Sequence, residues 1–413
     1  MKSSLTLIAI FVAFNLFGQD LIEFRGVDRS GYYPDTGLLK QWPKTGPELL
    51  LKIEGVGKGF SAPIVANNTI YVTGIKEDSI DILSAFNFKA ELLWDLPYGR
   101  SWTRSYIDSR STPTYSDGNI YVSSGTGQLA CVGAQTGKLI WKVDAVQKYA
   151  GEIHRHGDAE APLVVGDIVA YLVGGEENTM VAFNKYTGEE VWKCKSLGGA
   201  KSYASPSLIV HNGRKIILAQ TTDNLIGIEA ENGEILWSYN LIQYHVKSQG
   251  VGGNTNPPLY HNGEIFVTSG YDHPGLMFSL SDDGNEIELK WKNETLDNHH
   301  GGVVVVDGNI YGANWQHNSK GKWASVNWES GRTNWETEFV NKGSIITADN
   351  MLYLYEEKRG NVALAEPSAD ELKIVSSFTI EEGAGPHWAH PAIYNGKLFI
   401  RHGNVLMIYN ISE

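Results

Sequence analysis

Half of the twelve histidines fall in three short segments: "IHRHGDAEAP" with His154 and His156, "NHHGGVV" with His299 and His300, and "GPHWAHP" with His387 and His390. Imidazole nitrogens beside the carboxylates Asp158 and Glu160 are the donor types that hold Zn²⁺, Fe²⁺, Cu²⁺ or Mn²⁺. None of the pairs has the HxxxH or HExxH spacing that puts two ligands on one helix face. A transition-metal centre therefore depends on the fold bringing distant segments together. A second set, Trp102, Tyr106, Tyr203 and Trp388 with Arg104, Arg110, Lys201, Asn254 and Asn256, combines ring faces with donors and acceptors. Such a set grips a glycan, a small ligand or a protein segment without chemistry. No phosphate loop or GxSxG elbow is present.

The elements that must position these residues come from a repeat. "AQTGKLIW" (134–141) returns as "KYTGEEVW" (185–192), "AENGEILW" (230–237) and "WESGRTNW" (328–335). Aligned on Pro63, Pro113, Pro162, Pro206, Pro258, Val303, Ile345 and Pro391, the chain divides into eight units spaced 42 to 52 residues apart, the period of propeller-type repeats. Within each unit, short β-branched and aromatic runs such as "GNIYVSSG" and "GEIFVTSG" are separated by Asn-Gly or Asp-Gly turns, the signature of hairpin strands. The expectation is an all-β, eight-bladed β-propeller of four-stranded antiparallel blades, without helices. Trp94, Trp141, Trp192, Trp237, Trp291 and Trp335 recur on the fourth strand, where large rings fill the wedge between blades. The last unit has only three strands, so the missing one is expected from "GPELLLKIEG" (46–55), with Leu50 or Leu51 in the Trp position and no open edge left. In this order the segments before each opening Pro converge on one channel mouth, and these carry the candidate residues.

Lys2 followed by the apolar run Leu5–Phe17 and Gly18 reads as a secretory signal peptide over residues 1–19, followed by an entry segment (20–45) and the propeller (46–413). The expected location is the periplasm or the medium. The net charge of −13, with no basic run to offset it, excludes nucleic acid as a partner, and no transmembrane segment is expected in the mature chain. Cys131 and Cys194 are expected to be packed thiols; no Cys near the leader is placed to carry a lipid anchor.

The Thr-Gly-x-x-x-Trp turn together with the Gly-x-Ile-Tyr-Val strand resembles the PQQ-like, quinoprotein-type eight-bladed propellers from about residue 46 to 411. The entry segment "FRGVDRSGYYPDTGLLKQWPKTGPELL" resembles exported bacterial members. That family contains dehydrogenases using pyrroloquinoline quinone (PQQ) with calcium, and non-enzymatic relatives of the outer-membrane assembly factor B type. In the enzymatic branch the resemblance implies Asp158 or Glu160 as the base, Arg110 or Lys201 as the donor to the quinone oxygens, and Trp388 as the platform. The adjacent Cys pair usual in alcohol dehydrogenases of that branch and a CxxCH haem segment are both absent. The resulting expectation is a ligand- or protein-binding module without catalysis. The alternatives are a quinoprotein-like oxidoreductase acting on an alcohol or sugar, and a metal-dependent enzyme using the His-rich mouth.

Overall fold

The computed structural model describes residues 20–77, 79–245 and 253–413; the segment read as a signal peptide lies outside them. Blade 1 runs from the channel outward as Ile64–Ala66, Thr69–Ile75, Ile80–Phe86 and Leu92–Arg100, each strand antiparallel to the next. Blades 2 to 7 repeat the order over residues 114–144, 163–195, 207–240, 259–293, 303–337 and 343–379. Blade 8 takes its three inner strands from 392–410. The inner hairpins turn through residues of positive φ, such as Asn67 (48°), Asp117 (47°) and Asn395 (49°), as two-residue turns matching strand twist require. The apolar core lies between neighbouring blades: Ile217 and Ala219 of blade 4 pack on Leu172 and Ala182 of blade 3, and blades 1 and 2 meet through Leu83, Ala85, Val122 and Ala130. Helix is confined, among the described residues, to Ala145–Lys148 and a 3₁₀ turn at Ile242–Tyr244, a small departure from a helix-free expectation. No helix among them is long and apolar enough to cross a membrane.

The repeated Gly-x-x-x-Trp now has a physical cause. Trp94, Trp141, Trp192 and Trp291 each lie over the Gly turn of the next blade. A Cβ on Gly137, Gly188, Gly233 or Gly331 would come within 2.4–2.7 Å of the ring of Trp94, Trp141, Trp192 or Trp291. Those glycines also hold φ between 65° and 77°, so both the turn and the docked ring require Gly. The indole nitrogens of Trp94 and Trp141 donate to carbonyls of the same turn, Ala134 (3.2 Å) and Lys185 (2.9 Å). Cys131 and Cys194 are buried free thiols, both pushed up to about 12 by burial.

Ring closure follows the sequence expectation. Glu48–Glu54 pairs antiparallel with Val405–Asn410 as the outer strand of blade 8. The register skips Leu50, as it skips Ile140 before Trp141, so Leu51 takes the Trp position. Blade 7 shows a second loan. Its own strand puts Ser376 opposite Leu364, where blade 6 puts Trp335 opposite Ser325. Trp42 of the entry segment fills the space: its ring lies 6.0 Å from Tyr353 at 46°, against 5.9 Å and 46° for Trp94 on Tyr71 and 6.2 Å and 45° for Trp335 on Tyr311. The Trp42 backbone N–H donates to the Ser376 hydroxyl at 3.0 Å.

The entry segment also occupies the channel. It comes in from the turn end, where the carbonyls of Leu21 and Ile22 accept from Val65 of blade 1 and Tyr115 of blade 2, both at 2.8 Å. It reverses between Arg25 and Tyr32 and leaves along blade 7, where Gly31 accepts from Thr347 (2.8 Å). From the reversal two buried arginines reach opposite walls. Arg25 donates to the carbonyls of Val303 (2.7 Å), Ile345 (3.2 Å) and Gly301 (3.3 Å) and to His390 Nδ1 (2.9 Å). Arg29 donates to Pro206 (2.7 Å), Pro162 (2.8 Å) and Ala161 (2.9 Å), with Glu23 at 3.0 Å. One segment thus staples blades 1, 2, 3, 4, 6, 7 and 8 together.

Candidate functional site

At the opposite mouth the loop between blades 1 and 2 folds over the opening. Arg110 Nη2 holds the loop by donating to the carbonyls of Ser105 (3.0 Å) and Tyr106 (2.5 Å). Trp102 Nε1 donates to Ser105 Oγ (3.1 Å), which contacts His156 Nδ1 (2.8 Å). Trp102 packs over Gly157, where a Cβ would fall 2.6 Å from the ring, and the Arg104 guanidinium lies 5.2 Å from that ring. Tyr106, 57% exposed at a φ of 46°, then reaches across the mouth and touches His156 (5.6 Å between centroids) and Trp388 (5.3 Å).

From Tyr106 the rings continue both ways. Trp388 meets Phe60 (5.1 Å) and His300 (5.4 Å); His300 meets His299 (4.5 Å), His299 meets Tyr271 (5.0 Å), and Tyr271 meets Trp315 (4.9 Å). On the other side His156 stacks near-parallel on Tyr203 (6.3 Å, 24°), which meets His154 edge-on (4.4 Å). The result is a nearly continuous belt of aromatic and imidazole faces. Tyr271 and Trp315 escaped the sequence reading because they sit in loops between second and third strands, which open on the same mouth. Phe60 lies in "GKGFSAP", the segment before Pro63, and is not among the candidate residues of the sequence analysis.

The structure brings Asp158, Glu160 and Lys201 together, but seals them beneath the belt. Lys201 Nζ pairs with Glu160 and lies 3.2 Å from Asp158; it donates to the Leu172 carbonyl (2.9 Å) and sits 3.5 Å from the centre of the Tyr171 ring. The Tyr171 hydroxyl donates to Asp158, and both carboxylates and the ammonium are essentially without solvent exposure. Burial pushes Glu160 up to about 7, opposed by the charge of Lys201. Asn254 and Asn256 are buried as loop staples. Asn254 donates to the Thr221 carbonyl (2.8 Å); Asn256 donates to the Asn298 carbonyl (2.9 Å) and accepts from Gly302 N–H (3.0 Å).

The six histidines of the transition-metal expectation do not gather. His154 bonds the Tyr203 hydroxyl, and His387 Nδ1 that of Tyr355 (2.6 Å) while stacking on His402 (3.7 Å). His390 accepts from Arg25 through Nδ1, so its Nε2 carries the proton donated to the His300 carbonyl (2.8 Å). His300 Nε2 lies 3.4 Å from Glu357, whose other oxygen is held by Lys342. Among the described residues no three His, Cys, Asp or Glu side chains form a metal-binding group. The separation has a simple origin: the three pairs lie on loops of different blades, and His154, His156, His387 and His390 are each bonded to a neighbour of their own. Burial pushes His156, His299 and His300 below the ordinary imidazole range, His390 down to about 3 by burial and by Arg25, and His387 to about 4 by burial and His402.

Comparison with known proteins places this architecture. The chain is 28% identical over 192 residues to the quinoprotein alcohol dehydrogenase PedH of Pseudomonas putida, covering 44% of this chain and 31% of that protein. It is 26% identical over 221 residues to the outer membrane protein assembly factor BamB of Yersinia pestis, covering 52% and 51%. The chain thus spans about half or less of the curated relatives it matches. The crystal structure of BamB from Moraxella catarrhalis superposes with a TM-score of 0.62 at 13% identity, over 88% of this chain and 97% of that one, a likeness of fold. The family described as outer membrane protein assembly factor BamB, of the PQQ-like repeat type, matches residues 81–337, more than half of the chain, and the chain belongs to that family.

Proposed function

We propose that this protein is an exported binding module that holds a protein segment or small ligand in the ring-lined mouth and performs no chemistry there. One observation carries the reading. The ionisable groups that chemistry would need are already committed inside the wall, Asp158 and Glu160 to Lys201 and Tyr171, and Glu357 to Lys342, whereas the face turned to solvent is rings. A quinone with its calcium ion needs an open carboxylate beside a flat ring. Trp388 offers the ring, but Asp158, Glu160 and Glu357 are sealed in ion pairs, and these carboxylates as arranged do not fit that cofactor. Rings, amides and neutral imidazoles instead suit a ligand recognised by stacking and hydrogen bonding. Membership in the BamB family supports a protein partner.

A second reading, a quinoprotein-like oxidoreductase acting on an alcohol or sugar, is favoured by the likeness to PedH. Titration of the purified protein with PQQ and Ca²⁺, followed by quinone absorbance and dye reduction with alcohols and sugars, separates the two. The expected result is no saturable quinone binding and no turnover. A panel of peptides and oligosaccharides is expected to yield a ligand whose binding weakens at least tenfold in Tyr106→Ala and Trp388→Ala. Quinone binding with dye reduction would contradict the proposal.

A further inference from the structure

Three arginines stand beside the ring belt without an acid, in a chain where 47 Asp and Glu outnumber 34 Lys and Arg. Elsewhere among the described residues Arg29 pairs with Glu23, Arg100 with Asp144 and Arg214 with Glu229, while Arg25 and Arg401 give their donors to buried carbonyls. Arg104, Arg110 and Arg155, on the loops leading into blades 2 and 3, form no ion pair among the described residues. Arg104 lies exposed over Trp102, and Arg155 stands exposed between His154 and His156. Burial and the charges of Arg155 and Arg110 push His156 down, with no carboxylate to offset them. Burial raises the Tyr271 phenol, and the Arg155 charge opposes it.

Arg110 is satisfied on one side only. Its Nη2 holds the loop carbonyls of Ser105 and Tyr106, whereas Nη1 is buried with no acceptor. A charged donor covered and left unpaired is costly, and the open prong of a guanidinium fork is the part that takes a carboxylate. The wall does not supply one. Asp81 accepts from the Gly125 N–H (2.7 Å) and the Ser101 hydroxyl (3.0 Å), and Asp158 and Glu160 are held by Lys201. Asp108, on the same loop, is pushed up by burial, which the Arg110 charge opposes without an ion pair forming. What covers Nη1 is the loop that carries Tyr106. That residue, 57% exposed, crosses the mouth at a φ of 46° and meets His156 and Trp388 edge-on. Backbone strain of this kind is kept where a clamp opens on its ligand.

We propose that Arg104, Arg110 and Arg155, set among Tyr106, His156 and Tyr203, take a side-chain carboxylate of a peptide segment, an Asp or Glu lying beside an aromatic residue. This rests on the reading of the mouth as the binding site for a protein segment, and adds the chemistry that selects it. Arg104 and Arg155 are open to solvent and meet the carboxylate first. As Tyr106 gives way, Arg110 Nη1 gains its acceptor, and the neighbouring ring of the peptide takes the place of Tyr106 against Trp388 and His156. Three planar forks match a carboxylate better than a compact anion, so the selection is for shape as well as charge.

The test is fluorescence anisotropy of the purified protein with three labelled, amidated peptides. They share a Gly-Ser frame and a Phe-Tyr pair and differ only in carrying two Glu, two Gln or two Lys beside that pair. At low salt the Glu peptide is expected to bind at least about fivefold more tightly than the Gln peptide, with the Lys peptide weakest. The double variant Arg104→Gln/Arg155→Gln changes only exposed positions and is expected to bring the Glu and Gln peptides within about twofold of each other, leaving the Gln peptide unaffected. Arg110→Gln, shown to be folded by its thermal transition, is expected to lose the preference as well. Arg332→Gln, an exposed arginine on the outer turn of blade 6, is expected to keep it. Equal affinity for the Glu and Gln peptides, weakened in Trp388→Ala, would overturn this inference and leave the mouth a binding site; binding of none of the three would overturn both. A preference that survives in the double variant and in Arg110→Gln would overturn the assignment to these arginines.

Discussion

Blades 1 to 6 and blades 7 and 8 reach the same geometry by different routes. The first six draw all four strands and their outer Trp from one stretch of chain, so each is complete once its repeat is made. The last two are completed from the far terminus: blade 8 receives Glu48–Glu54, and blade 7 receives Trp42 against Ser376. The segment supplying both also places Arg25 and Arg29 in the channel. The ring is therefore closed by sequence more than 300 residues away from the blades it completes, and closure must await synthesis of the C-terminal strands.

The largest effect that would break this contrast is deletion of Glu48–Glu54. It leaves the edge of blade 8 unpaired and the two ends of the ring unjoined, and loss of the cooperative transition in urea, followed by Trp fluorescence, is expected; a folded, cooperative variant would contradict closure. Arg25→Met comes next. It leaves three buried carbonyls and His390 Nδ1 without their donor, a loss of about 3–5 kcal/mol in urea unfolding. Trp42→Ala is expected to cost about 3–4 kcal/mol, close to the cost of Trp141→Ala within its own blade, because both empty the same kind of wedge. If Trp42→Ala cost under about 1 kcal/mol, the equivalence of borrowed and resident Trp would fail.

A pH series sharpens the comparison. His390, beside Arg25, and His273 in blade 5 are both held down to about 3. A histidine whose folded value is depressed contributes stability that is full above about pH 6.5 and is lost as pH falls toward the folded value. Between pH 7 and 5 each is expected to cost up to about 2 kcal/mol, read as a falling urea midpoint. In Arg25→Met the charge that helps depress His390 is gone, so the decline should be shallower; an unchanged slope would separate His390 from the plug. The smallest expected effect is that of Leu93→Ser on stability, within about 0.5 kcal/mol, since the residue is half exposed on the rim.

What could be read from the sequence follows the same division. The eight units, their strands and the outer-strand Trp were legible because each signal is local and repeats: a turn, an alternating run, a Gly four residues before a Trp. The borrowed strand was legible because the last unit visibly lacks one. Trp42 and the two arginines were not, since nothing within residues 20–45 repeats and the arginines donate mainly to backbone carbonyls, which leave no mark in sequence. In the mouth, residue type and convergence were legible for Tyr106, His156, Tyr203 and Trp388. Depth was not: Asp158, Glu160 and Lys201 lie in the same segments as exposed rings, and only the fold shows which side chains turn inward.

The most direct measurement compares urea unfolding of the protein starting at Asp20 with one starting at Gly46, which keeps the closing strand but lacks Trp42, Arg25 and Arg29. The account predicts a single transition for the longer protein and a midpoint lowered by several kcal/mol of stability in the shorter one. Equal midpoints would show that residues 20–45 merely lie in the channel, and would contradict the claim that they complete the ring.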